Sequence, residues 1–226
     1  MPKPPHDLDD EDAVHGTPGA FSSPACYLHE FEGSVQSWSE IQAWRKQTRE
    51  TLIGQRVALA SHVRRARGQQ AKARLVEAVD LSKFATLGIY WPIRGEIDVR
   101  DVARKHLDRG GAVALPVVVT RGAAVEFWKW QPGVKMTRGL WNIPIPAERV
   151  VLKPDVLIIP LVGFDAAGYR LGYGGGYYDR TLAAASPRPF CAGLGYADAS
   201  LPTIYPQPHD IPMNVIATER VVQRIV

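Results

Sequence analysis

The chain has 226 residues, 46% of them hydrophobic, enough to bury one sizeable core with little left for a second. Residues 1–37 hold seven acids against Lys3 alone, a balance of −6, so the remainder carries +10 within a net charge of +4. Two cysteines, Cys26 and Cys191, have neither metal-ligand spacing nor the density of a secreted disulfide scaffold. No apolar stretch is long enough to span a bilayer, and the first residues lack a basic start followed by an apolar run. These features predict a soluble, cytoplasmic protein with no membrane partner.

Residues 1–36 read as an acidic, disordered extension rich in proline and glycine, and 37–226 as a single α/β domain. Ser37 or Ser39 can cap a first helix carrying Trp44, Thr48, Leu52 and Val57, and a second helical stretch runs from His62 to Val79. Strands and helices then alternate. Ala85 to Trp91 reads as a strand, Val99 to Arg109 as a helix closed by Gly110 and Gly111, and Ala112 to Val119 as a strand. The run EFWKW suggests another strand, and Asp155 to Val162 is a nearly continuous apolar run, the pattern of a buried parallel strand. Tyr177 to Ala185 looks helical, Cys191 to Tyr196 extended, and Asn214 to Thr218 forms the last strand. Strands separated by helices imply crossovers and a mainly parallel sheet flanked by helices, a three-layer α/β sandwich, with ligands beyond the carboxyl ends of its strands.

The most informative run is RLGYGGGYYDR, residues 170–180. Gly172, Gly174, Gly175 and Gly176 remove side chains where backbone must approach a ligand, and amides lacking Cβ neighbours can line an anion site. It is not a P-loop, since no lysine follows at the required place. A dinucleotide fingerprint requires the glycines directly after a strand, whereas about ten residues intervene here, although Asp198 could imitate the ribose-binding acid.

Together with RKQTR (45–49), WPIRGEID (91–98), WNIPIP (141–146), LIIPLVGFDAAGYRLGYGGGYYDR (157–180) and PHDIP (208–212), this run resembles the 5-formyltetrahydrofolate cyclo-ligases, over Trp44 to Glu219. The resemblance implies ATP- and Mg²⁺-dependent closure of 5-formyltetrahydrofolate to the 5,10-methenyl form, through phosphorylation of the formyl oxygen and attack by N10. It places ATP on Arg45, Lys46, Arg49 and the loop Arg170, Leu171, Gly172, Tyr173, Gly174, Gly175, Gly176, Tyr177 and Tyr178. Folate falls on Trp91, Glu96, Trp141 and the loop centre Tyr173 to Tyr177. Magnesium falls on Asp179 and Asp210, and Arg170 and Tyr178 take catalytic roles. Some relatives carry basic residues inside the loop where Tyr173 and Gly175 stand here, so this loop must recruit its positive charge from elsewhere.

The alternatives are a silent folate or nucleotide binder on the same fold, a nucleic-acid module and a dinucleotide oxidoreductase. The basic balance suits a nucleic-acid module, yet no RNA-binding signature is present. The partners implied by the resemblance are ATP and a reduced folate, with no nucleic acid, and the expected state is a monomer.

Overall fold

The computed structural model describes residues 37–225, so the acidic extension expected over 1–36 lies outside the described residues. The chain runs through α1 (Trp38–Ala58), α2 (Ser61–Ala78), β1 (Thr86–Gly88), α3 (Arg100–Asp108), β2 (Ala112–Val117), β3 (Glu126–Lys129), β4 (Met136–Arg138), β5 (Pro144–Pro146), β6 (Val151–Leu152) and β7 (Val156–Pro160). It continues through β8 (Gly163–Asp165), β9 (Arg170–Leu171), α4 (Tyr177–Ala184), β10 (Phe190–Leu194), β11 (Ser200–Leu201), β12 (Val215–Ala217) and β13 (Val222–Arg224). Ser37 starts α1 as a capping box: its hydroxyl accepts from the Glu40 N–H, and the Glu40 carboxylate accepts from the Ser37 N–H at 2.6 Å.

Eight strands form the central sheet in the order β13-β12-β10-β7-β1-β2-β3-β6. The five in the middle, β12 to β2, are parallel, while β13, β3 and β6 add antiparallel edges. Alternation along each strand builds two cores. Leu87, Val113, Leu115, Val156, Ile158, Ala192 and Val215 meet α2 and α3 through Ala71, Leu75, Val102 and Ala103. Ala114, Leu157, Ile159, Cys191 and Ile216 face the other way and meet Leu182 of α4 and Phe164 of β8. Both faces are covered, which is why β7 reads as an unbroken apolar run. Gly88 is set by this packing, since a Cβ there would lie 2.3 Å from Leu157 Cδ2.

The expected strand from Ala85 to Trp91 is shorter: only Thr86–Gly88 pair, with Ile89 N–H still donating to the Ala114 carbonyl. Pro92 then removes a donor, and Arg94 and Gly95 turn the chain with φ of 46° and 78°. The β8–β9 hairpin is an element the sequence pattern did not reveal. Asp165 closes it, its carboxylate accepting from the Ala167 and Tyr169 N–H groups. This hairpin occupies the gap between β7 and the glycine run, and so explains the failed dinucleotide spacing.

Candidate functional site

Helix α1 presents one face to the segments that follow the parallel strands, and three arginines project from it. Arg45 is buried, donating to the Ile204 and Tyr205 carbonyls and, at 2.5 Å, to Asp210. One turn on, Arg49 is half-buried and donates to the Gly172 carbonyl at 2.8 Å, and a Cβ on Gly174 would touch its guanidinium at 3.5 Å. No carboxylate lies within ion-pair distance of Arg49 among the described residues. Burial pulls its guanidinium below the ordinary arginine value, reinforced by the like charge of Arg45 and opposed by Asp210. Lys46, on the outer side of the helix, is exposed and makes no ion pair among the described residues. Arg56, two turns beyond Arg49, is buried and donates to the Arg94 carbonyl, the Leu161 carbonyl and the Tyr173 hydroxyl.

The glycine run forms the loop between β9 and α4. Gly174 and Gly176 adopt φ of 92° and 61°, where a side chain is strained, and a Cβ on Gly175 would strike the Tyr177 ring at 2.7 Å. Gly176 is the N-cap of α4 and no side chain caps that helix, so its first N–H groups stay available to an anion or water. Arg180 folds back to the Gly175 carbonyl and lies 5.1 Å from the Tyr177 ring centre. At the loop entrance, Leu171 is core and gives its carbonyl to the Val162 N–H.

Arg170 is buried and committed. It donates to the Ile211 carbonyl and to Asp179 at 3.0 Å, with its guanidinium 5.8 Å from the Tyr178 ring. Tyr178 packs against the second core, and burial, with Glu96 nearby, pushes its phenol well up, so it remains a protonated donor. Asp179 accepts from the Ile211 N–H, which sets it one residue from Asp210 along the 207–211 turn. Asp210 in turn accepts from the Gln207 N–H.

Glu96 meets the loop directly. The Tyr173 hydroxyl donates to Glu96 Oε1 at 2.9 Å, and Ile93 N–H donates to Oε2 at 2.8 Å. Part of the residue stays on the surface, yet its carboxyl is hemmed in by protein, and burial raises it to about 7 against the opposing Ile93, Arg56 and Tyr173. Glu96 also borders a cavity of about 410 Å³ lined by Arg64, Lys72, Arg100 and Tyr196, to which no glycine-loop residue contributes.

The two tryptophans separate. Trp141 is 64% exposed at the tip of the β4–β5 hairpin and meets Tyr177 edge-on at 5.6 Å. It and Asn142 hold φ of 55° and 61°, a strained turn that presents an apolar ring beside the loop. Trp91 packs instead on the larger core, with the Arg100 guanidinium 5.0 Å from its ring.

The sequence profile of the 5-formyltetrahydrofolate cyclo-ligase family matches residues 41–219. The chain belongs to that family. It is accordingly an enzyme of the cyclo-ligase class. The 5-formyltetrahydrofolate cyclo-ligase of Escherichia coli K12 is 33% identical over 133 residues, 56% of this chain and 73% of that protein. That of Mycolicibacterium smegmatis is 31% identical over 144 residues, 60% and 74% of the two chains. The NMR structure of Aquifex aeolicus 5,10-methenyltetrahydrofolate synthetase superposes with a TM-score of 0.70 at 26% identity, covering 80% of this chain and 92% of that one. The Mycoplasma pneumoniae synthetase agrees in fold, with a TM-score of 0.65 at 22% identity over 78% and 99% of the chains. No helix among the described residues is long and apolar enough to cross a membrane.

Within this cyclo-ligase the two aspartates can be tested against magnesium. The described residues hold no cluster of three or more histidine, cysteine or acidic side chains suited to a metal. Asp179 Oδ2 and Asp210 Oδ1 take no hydrogen bond among the described residues, although the exposed His209 Nε2 lies 3.9 Å from Asp210 Oδ1, while the other oxygen of each is held by an arginine. One oxygen without a hydrogen bond on each of two carboxylates fits Mg²⁺, which takes one or two carboxylates and fills its shell with phosphate oxygens and water. Two arginine-neutralised acids fit an ion arriving with phosphate better than one captured alone. Arg56 escaped the sequence reading, although its spacing of seven from Arg49 places it on the same helical stripe and was a usable signal.

Proposed function

We propose that this cyclo-ligase converts 5-formyltetrahydrofolate to 5,10-methenyltetrahydrofolate with MgATP, as a cytoplasmic monomer. The observation that carries the reading is a continuous wall. A half-buried guanidinium without a carboxylate partner, Arg49, lies on the glycine loop, and the same loop reaches the Glu96 carboxylate through Tyr173. Such a wall suits two substrates that must meet, one polyanionic and one rich in N–H donors.

In this reading the loop amides from Gly172 to Gly176 and Arg49 hold the ATP phosphates, and the lack of a carboxylate on Arg49 leaves its charge for them. Lys46 contributes long-range attraction from the surface. Arg45 and Arg170 act indirectly, holding Asp210 and Asp179 with one oxygen of each turned away from its arginine. A magnesium ion bound by those two oxygens would neutralise charge on the transferring phosphoryl group. Glu96, as carboxylate, accepts N–H donors of the pterin ring. Trp141 and Tyr177 cover the folate and exclude water, while Trp91 supports the Glu96 segment from the core. Tyr178, kept protonated, offers a hydrogen bond at the reacting centre.

The formyl oxygen attacks the γ-phosphorus and ADP leaves, converting a poor leaving oxygen into a phosphate ester. N10 then attacks the formyl carbon, its proton is lost, and the carbon–oxygen bond breaks to release phosphate. The protein supplies orientation and charge and no covalent intermediate. The test is to mix the protein, 5-formyltetrahydrofolate and MgATP and to follow the methenyl chromophore together with ADP. One ADP per methenyl product is expected. Folate binding without turnover would instead favour the silent-binder reading.

A further inference from the structure

We infer that Arg56 is a positioning residue of this site: through the Tyr173 hydroxyl it orients the Glu96 carboxylate toward the folate pocket. The inference rests on the reading under Proposed function. Arg56 is only 7% exposed and has no carboxylate within ion-pair distance among the described residues, so its placement follows from the groups to which it donates. Nε meets the Arg94 carbonyl at 3.0 Å, Nη1 the Leu161 carbonyl at 3.1 Å, and Nη2 the Tyr173 hydroxyl at 2.8 Å. One side chain thus ties α1 to the turn that carries Glu96, to the end of β7 and to the glycine loop.

The direction of the chain follows from chemistry. A guanidinium can only donate, so the Tyr173 oxygen must accept from Arg56, and its single proton is left for Glu96 Oε1. With Ile93 N–H on Oε2, both carboxylate oxygens are oriented before any ligand arrives. The turn also packs closely on both α1 and α2: Gly95 has φ of 78°, and a Cβ there would lie 3.3 Å from Arg64 Cδ and 3.4 Å from Arg56 Cγ and the Arg56 carbonyl. Tyr173 is itself 41% exposed, so its hydroxyl is held by this relay and not by burial in the core.

The relay makes a prediction that a purely structural loop residue would not. Although Tyr173 lies in the nucleotide loop, Tyr173→Phe should raise the folate KM about tenfold, the effect of losing one hydrogen bond to a charged group, and leave the ATP KM within about twofold. In a Glu96→Gln background the same substitution should produce little further rise, because the carboxylate it served is gone. Arg56→Met should act in the same direction, but it also strips two carbonyls of their donor, so the tyrosine variant carries the test. Equal increases in both KM values, or the same increase with and without the Glu96 carboxylate, would overturn the inference. If the wild type binds folate without turnover, the proposed reaction fails and folate dissociation constants of the same variants, from tryptophan fluorescence, decide the relay. If the wild type binds no folate, both fall.

Discussion

Replacing Glu96 with glutamine separates function from stability in a way that few active-site changes do. The folded carboxyl titrates at about 7 against an ordinary 4.5, mainly because burial disfavours its charge. A shift of that size corresponds to about 3 kcal/mol, and solvent reaching the partly open carboxyl reduces it to about 1–2 kcal/mol. The sign follows from proton counting. Below the unfolded value both states are protonated and nothing is lost. As pH rises the unfolded chain releases its proton first, and native stability falls until the folded carboxyl has also ionised, above about 7. Glutamine never ionises, so the gap between variant and wild type should widen in the variant's favour from pH 5 to pH 8, by about 2–8 °C in Tm. If Glu96 receives the pterin N–H groups as proposed, the same substitution should also raise the folate KM about tenfold to a hundredfold. Thermal unfolding at the two pH values and steady-state kinetics test both halves. A variant that loses stability at pH 8 relative to pH 5, or one with an unchanged folate KM, would refute the reasoning.

Arg49→Met should lower kcat/KM for ATP by about tenfold to a hundredfold, the loss of a charge-assisted phosphate contact, with only a small fall in Tm, because the half-buried guanidinium has no carboxylate partner and gives up one hydrogen bond, to the Gly172 carbonyl. Normal ATP kinetics would take Arg49 out of the phosphate site. Gly88→Ala should cost about 1–3 kcal/mol in urea unfolding, because the new Cβ must displace Leu157 and crowd Phe127, while kinetics per folded molecule stay unchanged. Calorimetry should detect magnesium binding with ATP and little without it, since Asp179 and Asp210 are each already paired with an arginine. Tight magnesium binding to the nucleotide-free protein would contradict that assignment.

Much of the scaffold was legible because its determinants are local or periodic. The Ser37 cap, the unbroken apolar run of β7, the glycine stop after α3 and the start of α4 at Tyr177 all carry signals within a few residues. The β4–β5 and β8–β9 hairpins were not visible, since two- and three-residue strands have too little length for a period to emerge. The glycine run was recognisable from its composition as a loop of backbone without side chains; its assignment to ATP and folate rests on the family resemblance. The arginine partnerships were not legible. That Arg45 is paired with Asp210 and Arg170 with Asp179, whereas Arg49 has no carboxylate partner, depends on contacts across 165 and 9 positions and on where α1 lies. Arg56 shows the same limit: its stripe on the helix can be counted, but its partners Arg94, Leu161 and Tyr173 meet only in the folded chain.

In the proposed reaction the formyl oxygen is phosphorylated and departs with the phosphate. Supplying 5-formyltetrahydrofolate labelled with ¹⁸O in the formyl group, with unlabelled MgATP, and weighing the released inorganic phosphate by mass spectrometry tests it most directly. One ¹⁸O should appear in the phosphate for each methenyl product formed. Label recovered in water, with phosphate at natural abundance, would contradict it.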